Sequence, residues 1–374
     1  MRRVESPPRL DWPRRCKSLG FDFHTAEKPY WNEAAVYEFT AEDVARLEAA
    51  AGELHRLCLL AVEHVIDRGL LARVGVWEPY HGLVSESWRR RDPALLARFD
   101  LAYDGQGEPK LLEYNADTPT SLLETAVVQW HWLEEARGAA WDQFNSVHER
   151  VIARWREILP EKAFVHFVCQ RESVEDVAHV RYLLDTLVQA DRTGTIIDIS
   201  DIGLTAGTEL FIDRAERPME HVFKLYPWDW MFADRFGYDL VSSGTHFIEP
   251  AWRVVLNSKG LLPILWELFP NHRNLLPAYW TRDAFDGTPY VRKPLQGREG
   301  ANIAIVRADG GDVSYGPYGG RKVYQAYAPL FKSHGRYAVV GAWMVGDTPA
   351  GISVREDIGR IVGGDSQFVP HAYR

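Results

Sequence analysis

The sequence has 374 residues, of which 46% are hydrophobic and 25% are charged. It can therefore bury a sizeable core, as one large multilobed unit or as two domains, and it leaves no room for a long disordered region. The formal net charge of −9 argues against a protein that binds the phosphate backbone of nucleic acids, because such binding requires a basic face.

The first predicted element is a long amphipathic helix. Thr40 is followed three residues later by Asp43, which indicates a helix cap; apolar residues then recur at helical spacing, and Gly69 marks the end. Two strands follow, LLARFDLAYD and PKLLEYNAD, and the segment DGQGEP between them has the glycines and proline of a hairpin turn. Residues 122–135 return to a helical pattern.

The middle of the chain alternates strand and helix. AFVHFVCQ is typical of a buried strand, residues 174–190 have helical periodicity, and TIIDISDIG is a second strand, so the sequence predicts an α/β unit here. The last third contains a short apolar helix, KGLLPILWELF. Three strand-rich segments come after it: YVRKPLQGREGANIAIV, KVYQAYAPL and YAVVGAWMVGDTPAGISVRED.

Neither an internal repeat nor an obvious linker separates these blocks. We therefore expect an α/β (α+β) protein in which residues 10–372 form a single unit. Its predicted lobes comprise approximately residues 1–160, 161–250 and 251–374.

The chain is expected to work in the cytoplasm. Its three cysteines, Cys16, Cys58 and Cys169, are odd in number and far apart, which indicates neither a disulfide framework nor a zinc site. The first residues, MRRVESPPRLDWPRR, carry charge and proline where a signal peptide requires an apolar core. The longest apolar stretch is interrupted by Glu63 and Asp67, so we expect no membrane span.

Three oxygen-bearing side chains are predicted to meet on the hairpin. Glu113 and Asn115 are two residues apart and therefore point to one face of a strand, and a paired strand can present Asp100 beside them. Hard oxygen ligands without a nearby set of His or Cys residues suit Mg²⁺. The alternative is that Asn115, Asp117 and Pro119 form a turn after an edge strand, and the spacing alone does not decide between the two.

The segment RKPLQGREGAN is a candidate phosphate loop. Lys293 precedes two glycines that lie beside Arg298 and Glu299. Glycines let backbone amides approach an anion closely, and a lysine supplies charge for phosphates. The segment is neither a Walker loop nor a GxGxxG motif, so an ordinary hairpin preceded by a lysine is the alternative.

Two further lysines are ambiguous. Lys224 lies in the otherwise apolar strand VFKLYPW, where burial requires an anion or a carboxylate partner unless the side chain reaches solvent. Lys259 lies between Ser258 and Gly260 at a predicted helix start, and the same alternatives apply to it.

Glu175 and Asp176 form an acidic pair at another predicted helix start. Acidic residues are common at helix N-termini because they interact favourably with the helix dipole. An adjacent acidic pair that faces a cleft would also bind a cationic amine, and both interpretations are open.

Several blocks together resemble one enzyme family. The chain contains, in this order, RFDLAYDGQGEPKLLEYNADTPTS, FKLYPW, FIEPAW, SKGLLPILWELFPNH, VRKPLQGREGAN and VYQAYAPL. These blocks are similar to the synthetase module of the glutathionylspermidine synthetase family, in particular to its stand-alone branch of acid–amine ligases, and the resemblance runs over residues 11–371. It implies an ATP-grasp fold with several lobes around a central nucleotide cleft. It also implies a carboxylate–amine ligase that consumes ATP and forms an amide through an acyl phosphate.

The resemblance implies ATP and Mg²⁺ as cofactors, with two metal ions. It assigns the metal ligands to Asp100, Glu113 and Asn115, which favours the metal interpretation of the hairpin. It also assigns Arg98 to a place beside the transferred phosphate and Arg355 to the rim of the active site.

The remaining implied roles concern the nucleotide and the substrates. The implied phosphate lysines are Lys224 and Lys293, and Lys259 lies in a matching block and is predicted to join them. The implied mobile glycine loop includes Gly297, Arg298 and Gly300, and the segment near the adenine includes Gln325 and Tyr327. The implied substrate residues are Thr118 and Thr120 for the acid and Glu175 and Asp176 for the amine.

Two departures from the family leave the substrates open. Glutathione-using members carry a cysteine shortly after the Asn-Ala-Asp motif, whereas this chain reads TPTSLLE, and the family's additional acidic residue for the polyamine falls closest to Gln367, with Asp365 two residues away. The predicted partners are therefore a peptide or amino-acid carboxylate and a polyamine or similar amine, without nucleic acid or membrane. The alternative function is an ATP-binding sensor or scaffold without ligase activity, and the sequence does not indicate an oligomeric state.

Overall fold

The computed structural model describes residues 1–25, 28–204 and 209–374. Its α-helices are α1 Trp12–Ser18, α2 Ala41–Asp67, α3 His81–Arg89, α4 Gln129–Ala136, α5 Val147–Ile158, α6 Val174–Gln189, α7 Trp228–Ala233, α8 Arg253–Asn257 and α9 Leu261–Leu268. Its strands through the first half are β1 Arg2–Glu5, β2 Ala35–Phe39, β3 Leu96–Ala102, β4 Lys110–Asn115, β5 Phe164–Cys169, β6 Thr193–Asp198, β7 Gly203–Leu204, β8 Phe211–Ile212, β9 His221–Lys224 and β10 His246–Ile248.

The remaining strands are β11 Ala278–Tyr279, β12 Tyr290–Pro294, β13 Ala304–Val306, β14 Asp312–Val313, β15 Lys322–Ala326, β16 Phe331–Ser333, β17 Arg336–Val345, β18 Thr348–Asp357, β19 Gln367–Val369 and β20 His371–Tyr373. Helices and several separate sheets occur together, so the predicted mixed α/β class is confirmed.

The long helix predicted after Thr40 is α2. Thr40 Oγ1 accepts a hydrogen bond from the Asp43 backbone amide at 3.1 Å, and Asp43 Oδ2 accepts one from the Thr40 backbone amide at 2.9 Å. The predicted cap is therefore a complete capping box. The helix ends just before Gly69, which has the positive φ of 64° that favours glycine.

A six-stranded antiparallel sheet carries the predicted hairpin. Its order is β19-β18-β17-β3-β4, with β16 added alongside β17. Side chains alternate along β3: Ala97 and Phe99 belong to the core that includes α2, whereas Arg98 and Asp100 point to the opposite face. On that face the Arg98 guanidinium lies 5.8 Å from the ring centre of Trp343.

A four-stranded parallel sheet forms the predicted α/β unit. Its order is β10-β9-β5-β6, and α6 connects β5 to β6. In parallel sheets ligands bind at the carboxyl ends of the strands. Lys224 at the end of β9 and Glu175 at the start of α6 both lie at this edge.

A five-stranded antiparallel sheet contains the candidate phosphate loop. Its order is β11-β15-β12-β13-β14. The strand-rich segment 290–306 is therefore two paired strands, β12 and β13, and the loop between them carries the two glycines. Residues 336–357 likewise form two strands, the hairpin of β17 and β18.

Two features differ from the sequence prediction. The segment 122–135 is helical, but it contains a π-helical stretch at Glu124–Val128 before α4, and Glu124 is only 1% exposed. A small sheet of β1, β2 and β20 was not predicted, since β2 lies between strands from the two ends of the chain and pairs with both. The division into three lobes stays a prediction.

Among the helices of the described residues, none has both the length and the apolar character that crossing a bilayer requires.

The capping box predicts a measurable contribution of Thr40 to stability. Thr40→Ala removes the side-chain acceptor for the Asp43 amide, and loss of such a cap costs about 1 kcal/mol. We expect this lower free energy of unfolding in denaturant titrations. Glu63→Ala, on the exposed face of the same helix, is the control and should change stability by less than about 0.5 kcal/mol; equal losses in both variants would contradict the prediction.

Candidate active site

The hairpin of β3 and β4 brings the predicted oxygen donors together. Asp100 pairs directly with Glu113, and Arg98 pairs with Asn115, with an irregularity of register just after Asp100. Asn115 Nδ2 lies 3.4 Å from Glu113 Oε1. The chain bends at residues 117–118, just after the strand, so a change of direction and the convergence of these side chains coexist, and the structure places the three residues close together.

Asp100 is held between two arginines from different strands. Arg98 Nε donates to Asp100 Oδ1 at 2.8 Å, and Arg355 Nη2 donates to Asp100 Oδ2 at 2.7 Å. Arg98 also donates to the backbone carbonyl of Thr120 at 2.6 Å. Gly341, which pairs with Asp100 on β17, leaves room for this arrangement, because a Cβ there would collide with the Arg98 side chain.

Glu113 faces two lysines. Lys259 Nζ lies 3.1 Å from Glu113 Oε2 and donates to the Gly297 carbonyl at 2.8 Å. Burial acts to raise the pKa of Glu113, but the ammonium groups of Lys259 and Lys293 outweigh it and lower the pKa to about 2. For Lys293, burial and the neighbouring Lys259 outweigh the attraction of Glu113 and lower the pKa to about 8.

Lys224 lies elsewhere. Its ammonium is buried against the Asp117 carboxylate and lies 4.9 Å from the ring centre of Trp228. Asp117 Oδ2 also accepts the Trp228 backbone amide at 2.8 Å. Lys224 has thus met the carboxylate partner that its burial requires, and it is Lys259 that lies next to Lys293 and the glycine loop.

The segment RKPLQGREGAN is a hairpin that also contributes to the site. Arg298 forms an ion pair with Asp229 of α7, at 2.5 Å, and its guanidinium lies 5.0 Å from the ring centre of Trp230. Gly300 has φ of 67°, and a Cβ there would lie 3.0 Å from Ile361. The loop therefore rests against α7 on one side and the segment after β18 on the other.

An acidic group lies at the first turn of α6. Burial and the carboxylates of Glu124, Asp176 and Glu299 raise the pKa of Glu175 to about 8, with Arg355 acting in the opposite direction. Burial also raises the pKa of Asp176, against hydrogen bonds from Ser173 and the backbone. Within the described part of the chain, neither Glu175 nor Asp176 forms a salt bridge.

Glu124 is an acidic residue that sequence reasoning missed. Burial raises its pKa to about 7, and its Oε1 accepts a hydrogen bond from the Tyr30 hydroxyl at 2.6 Å. Tyr30 comes from a segment almost a hundred residues earlier, so only tertiary structure identifies the partner. A glutamate within a helical, largely apolar run gave no signal of its own.

One cavity of about 410 Å³ connects these groups. The predicted residues that line it are Arg98, Asp100, Glu113, Asn115, Thr118, Thr120, Glu175, Asp176, Lys293, Arg298, Gly300, Gln325, Tyr327 and Arg355. Lys259 and Gly297 contact one another and lie beside its wall. The lining residues that the sequence did not single out include Gln170, Ser173, Trp230, Asn257 and Arg360.

The hairpin residues fit the predicted metal by their chemistry. In residues 1–25, 28–204 and 209–374 no three His, Cys, Asp or Glu side chains are grouped as a metal site. Mg²⁺, however, needs only one or two carboxylates and completes its coordination with waters and nucleotide phosphates. Asp100, Glu113 and the amide oxygen of Asn115 provide such a set, although cations of the protein contact both carboxylates in the structure. Their role as ligands stays a prediction.

Comparisons with known proteins agree with this arrangement. The family model described as glutathionylspermidine synthase preATP-grasp matches residues 3–374. A Haemophilus influenzae protein named "Putative acid--amine ligase" is 37% identical over 394 residues, which cover 100% of both chains. Trypanothione synthetase of Crithidia fasciculata and the bifunctional glutathionylspermidine synthetase/amidase of Escherichia coli are each 28% identical over 89% of this chain. The chain spans 55% and 58% of those two longer proteins.

A solved structure shares the fold. The apo form of a glutathione synthetase-like effector from Globodera pallida superposes with a TM-score of 0.60 over 97% of this chain and 98% of that one, at 10% identity. The predicted ATP-grasp fold is thereby confirmed.

The buried pair of Lys224 and Asp117 predicts a rescue experiment. Lys224→Met leaves the Asp117 carboxylate buried without its cation, which costs about 3–5 kcal/mol of stability. Lys224→Met combined with Asp117→Asn removes both charges and should recover most of that loss in denaturant titrations. If the single and double variants are equally unstable, the pair is not the reason that Lys224 is buried.

Proposed function

The chain belongs to the glutathionylspermidine synthase preATP-grasp family and is an ATP-dependent C–N ligase, and we propose that it joins a peptide or amino-acid carboxylate to a polyamine or similar amine through an acyl phosphate. One observation carries the proposal: a single cavity is lined by a cationic group beside the hairpin and by an acidic group at the start of α6. Arg98, Lys293 and Arg355 form the cationic end beside Asp100 and Glu113, and Glu175 and Asp176 form the acidic end.

The cationic end suits a triphosphate. Phosphoryl transfer requires positive charge around the β- and γ-phosphates more than covalent participation by the protein. Lys259 and Lys293 lie close to Glu113, and they would share the phosphates with Mg²⁺ held by Asp100, Glu113 and Asn115. When bound, Mg²⁺ supplies charge that stabilises the transferring phosphoryl group.

The two arginines would act between the nucleotide and the acid. In the first step the substrate carboxylate attacks the γ-phosphorus and ADP leaves, so negative charge builds up on the transferring oxygens. Arg98 and Arg355 both contact Asp100, and from this place their guanidinium groups can stabilise that charge. Thr118 and Thr120 line the same cavity and offer hydroxyls to the acid.

The acidic end suits an amine. In the second step the amine nitrogen attacks the acyl carbon, phosphate leaves, and the nitrogen gives up a proton. Neither Glu175 nor Asp176 forms a salt bridge in the described residues, and Arg355 offsets only part of the rise in the pKa of Glu175. These partly buried carboxylates therefore gain free energy when an ammonium group pairs with them.

Isotope transfer tests the proposed reaction. A mixture of ATP, Mg²⁺, ¹⁸O-carboxylate acids and a panel of polyamines should yield ADP, an amide detectable by mass spectrometry, and phosphate that carries one ¹⁸O atom. The label moves because the carboxylate oxygen that attacks phosphorus leaves with the phosphate. Amide without ¹⁸O in the phosphate would exclude the acyl phosphate, and ADP release that no acid and amine pair stimulates would exclude the ligase reaction with those substrates.

Loss of activity in Asp100→Ala tests the proposed site. Without this carboxylate the predicted metal loses a ligand and Arg98 and Arg355 lose their shared partner, so turnover should fall by at least about 10²-fold. Glu63→Ala, far along α2 on its exposed face, should retain wild-type turnover. Wild-type turnover in Asp100→Ala would remove Asp100 from the proposed machinery.

The raised pKa of Glu175 predicts proton release when an amine binds. At pH 7 a group with a pKa of about 8 is mostly protonated, and a bound ammonium favours its ionised form, so the pKa falls and up to about one proton leaves. Calorimetry with 1,4-diaminobutane in buffers of different ionisation enthalpy measures this release at pH 7, and it should diminish above pH 9.

Glu175→Gln separates this group from its neighbours. The carboxylates of Glu124, Asp176 and Glu299 and the guanidinium of Arg355 all influence Glu175, and they remain in the variant. Most of the proton release should disappear in it. Undiminished release would assign the proton to another group.

A further inference from the structure

The Gln325 side chain is fixed by partners at both ends. Gln325 is 2% exposed. Its Nε2 donates to the Leu111 carbonyl at 2.8 Å, and its Oε1 accepts from Lys293 Nζ at 2.8 Å. An ammonium only donates and a carbonyl only accepts, so a flipped amide would place donor against donor and acceptor against acceptor. The amide oxygen therefore faces Lys293.

Lys293 is fixed in turn by this contact and by one other. Its Nζ donates to the Leu112 carbonyl at 2.7 Å. On the antiparallel strands β12 and β15, Lys293 pairs with Val323 and is the diagonal neighbour of Gln325 on the same face. Leu111 and Leu112 belong to β4 of the six-stranded sheet, so the two side chains bridge this sheet and the five-stranded one.

We propose that Gln325 is a positioning residue that holds the Lys293 ammonium for the nucleotide phosphates and takes no part in recognition of the adenine. This inference rests on the proposed function, because it assumes that ATP binds in the cavity. It differs from the role beside the adenine that the family resemblance implied for Gln325.

A neutral amide suits this role better than a carboxylate. Glutamate at this position would neutralise the Lys293 charge and leave less positive charge for phosphates. It would also place a carboxylate oxygen against the Leu111 carbonyl, where neither group can donate a hydrogen bond. Glutamine supplies the acceptor that orients the ammonium and leaves its charge uncompensated on that side. Apolar side chains of Val291, Ile305 and Leu330 line the same cavity, and they offer the apolar contacts that a base requires.

Three probes separate the two roles. Gln325→Met preserves the length of the side chain and removes both hydrogen bonds. We expect the affinities for ATP and for inorganic tripolyphosphate to fall about tenfold or more, with the affinity for adenosine unchanged, in calorimetric or competition titrations. Tyr327→Leu is the matched control, for which ATP and adenosine should weaken and tripolyphosphate should not.

A double-variant cycle tests the connection through Lys293. Lys293→Met should reproduce the pattern of Gln325→Met, and the combined variant should bind tripolyphosphate no more weakly than Lys293→Met alone, because the two side chains act as a unit. Additive losses would overturn the proposal. So would an adenosine affinity that falls in Gln325→Met by the same factor as the ATP affinity, or no change with any probe.

Two controls secure the interpretation. Thermal unfolding of each variant shows that the chain is folded. Gln325→Glu, which keeps the shape and one acceptor oxygen, replaces the methionine variant if that one does not fold, and it should show the same selective loss of tripolyphosphate binding. Absence of ATP binding by the wild-type protein would refute the proposed function and this inference with it; wild-type binding with a non-selective loss in the variants would refute this inference alone.

Discussion

The active site depends on the compensation of two carboxylates on one hairpin, of which Asp100 is buried and Glu113 is partly buried. Asp100 and Glu113 lie opposite each other on β3 and β4, and an anion taken out of water costs several kcal/mol unless cations and hydrogen bonds replace its hydration. The compensation comes from distant parts of the chain: Arg355 on β18, Lys259 before α9 and Lys293 on β12. The charge balance of the hairpin therefore fixes how strands of two different sheets approach one another.

The same balance makes the cavity electrically asymmetric. At the hairpin end, cations and anions are interleaved, and the pKa of Glu113 falls to about 2. At the α6 end, neither Glu175 nor Asp176 forms a salt bridge in the described residues, and the pKa of Glu175 rises to about 8 although Arg355 acts to lower it. An anionic nucleotide and a cationic amine would each find the complementary end, and the carboxylate to be activated would lie between them. This polarity follows from the folded arrangement of charges and not from the net charge of the protein.

The lysines show why residue type alone is a poor guide to role. Lys224 and Lys259 are both almost fully buried, and from sequence each could have met a phosphate or a carboxylate. Lys224 neutralises Asp117, which directly precedes Thr118 in the chain. Because Asp117 also accepts the Trp228 amide, the segment that carries Thr118 and Thr120 is attached to both β9 and α7. Lys259 instead joins Glu113 to the glycine loop. The two differ in which carboxylate tertiary structure brings to them.

The sequence by itself determined the elements whose signals are local. The capped helix α2, the hairpin of β3 and β4, and the alternation of β5, α6 and β6 follow from side-chain periodicity, caps and turns, and ordered motifs identified the family. The residues of the hairpin could be predicted to converge because strand pairing fixes which side chains are neighbours. Tertiary structure alone decided the sheet that joins β1, β2 and β20, the burial of Glu124 beside Tyr30, the partner of Lys224, and the bond between Gln325 and Lys293. These depend on contacts between segments far apart in the chain, and a buried charge acquires its pKa and its role only from the groups that surround it in the folded protein.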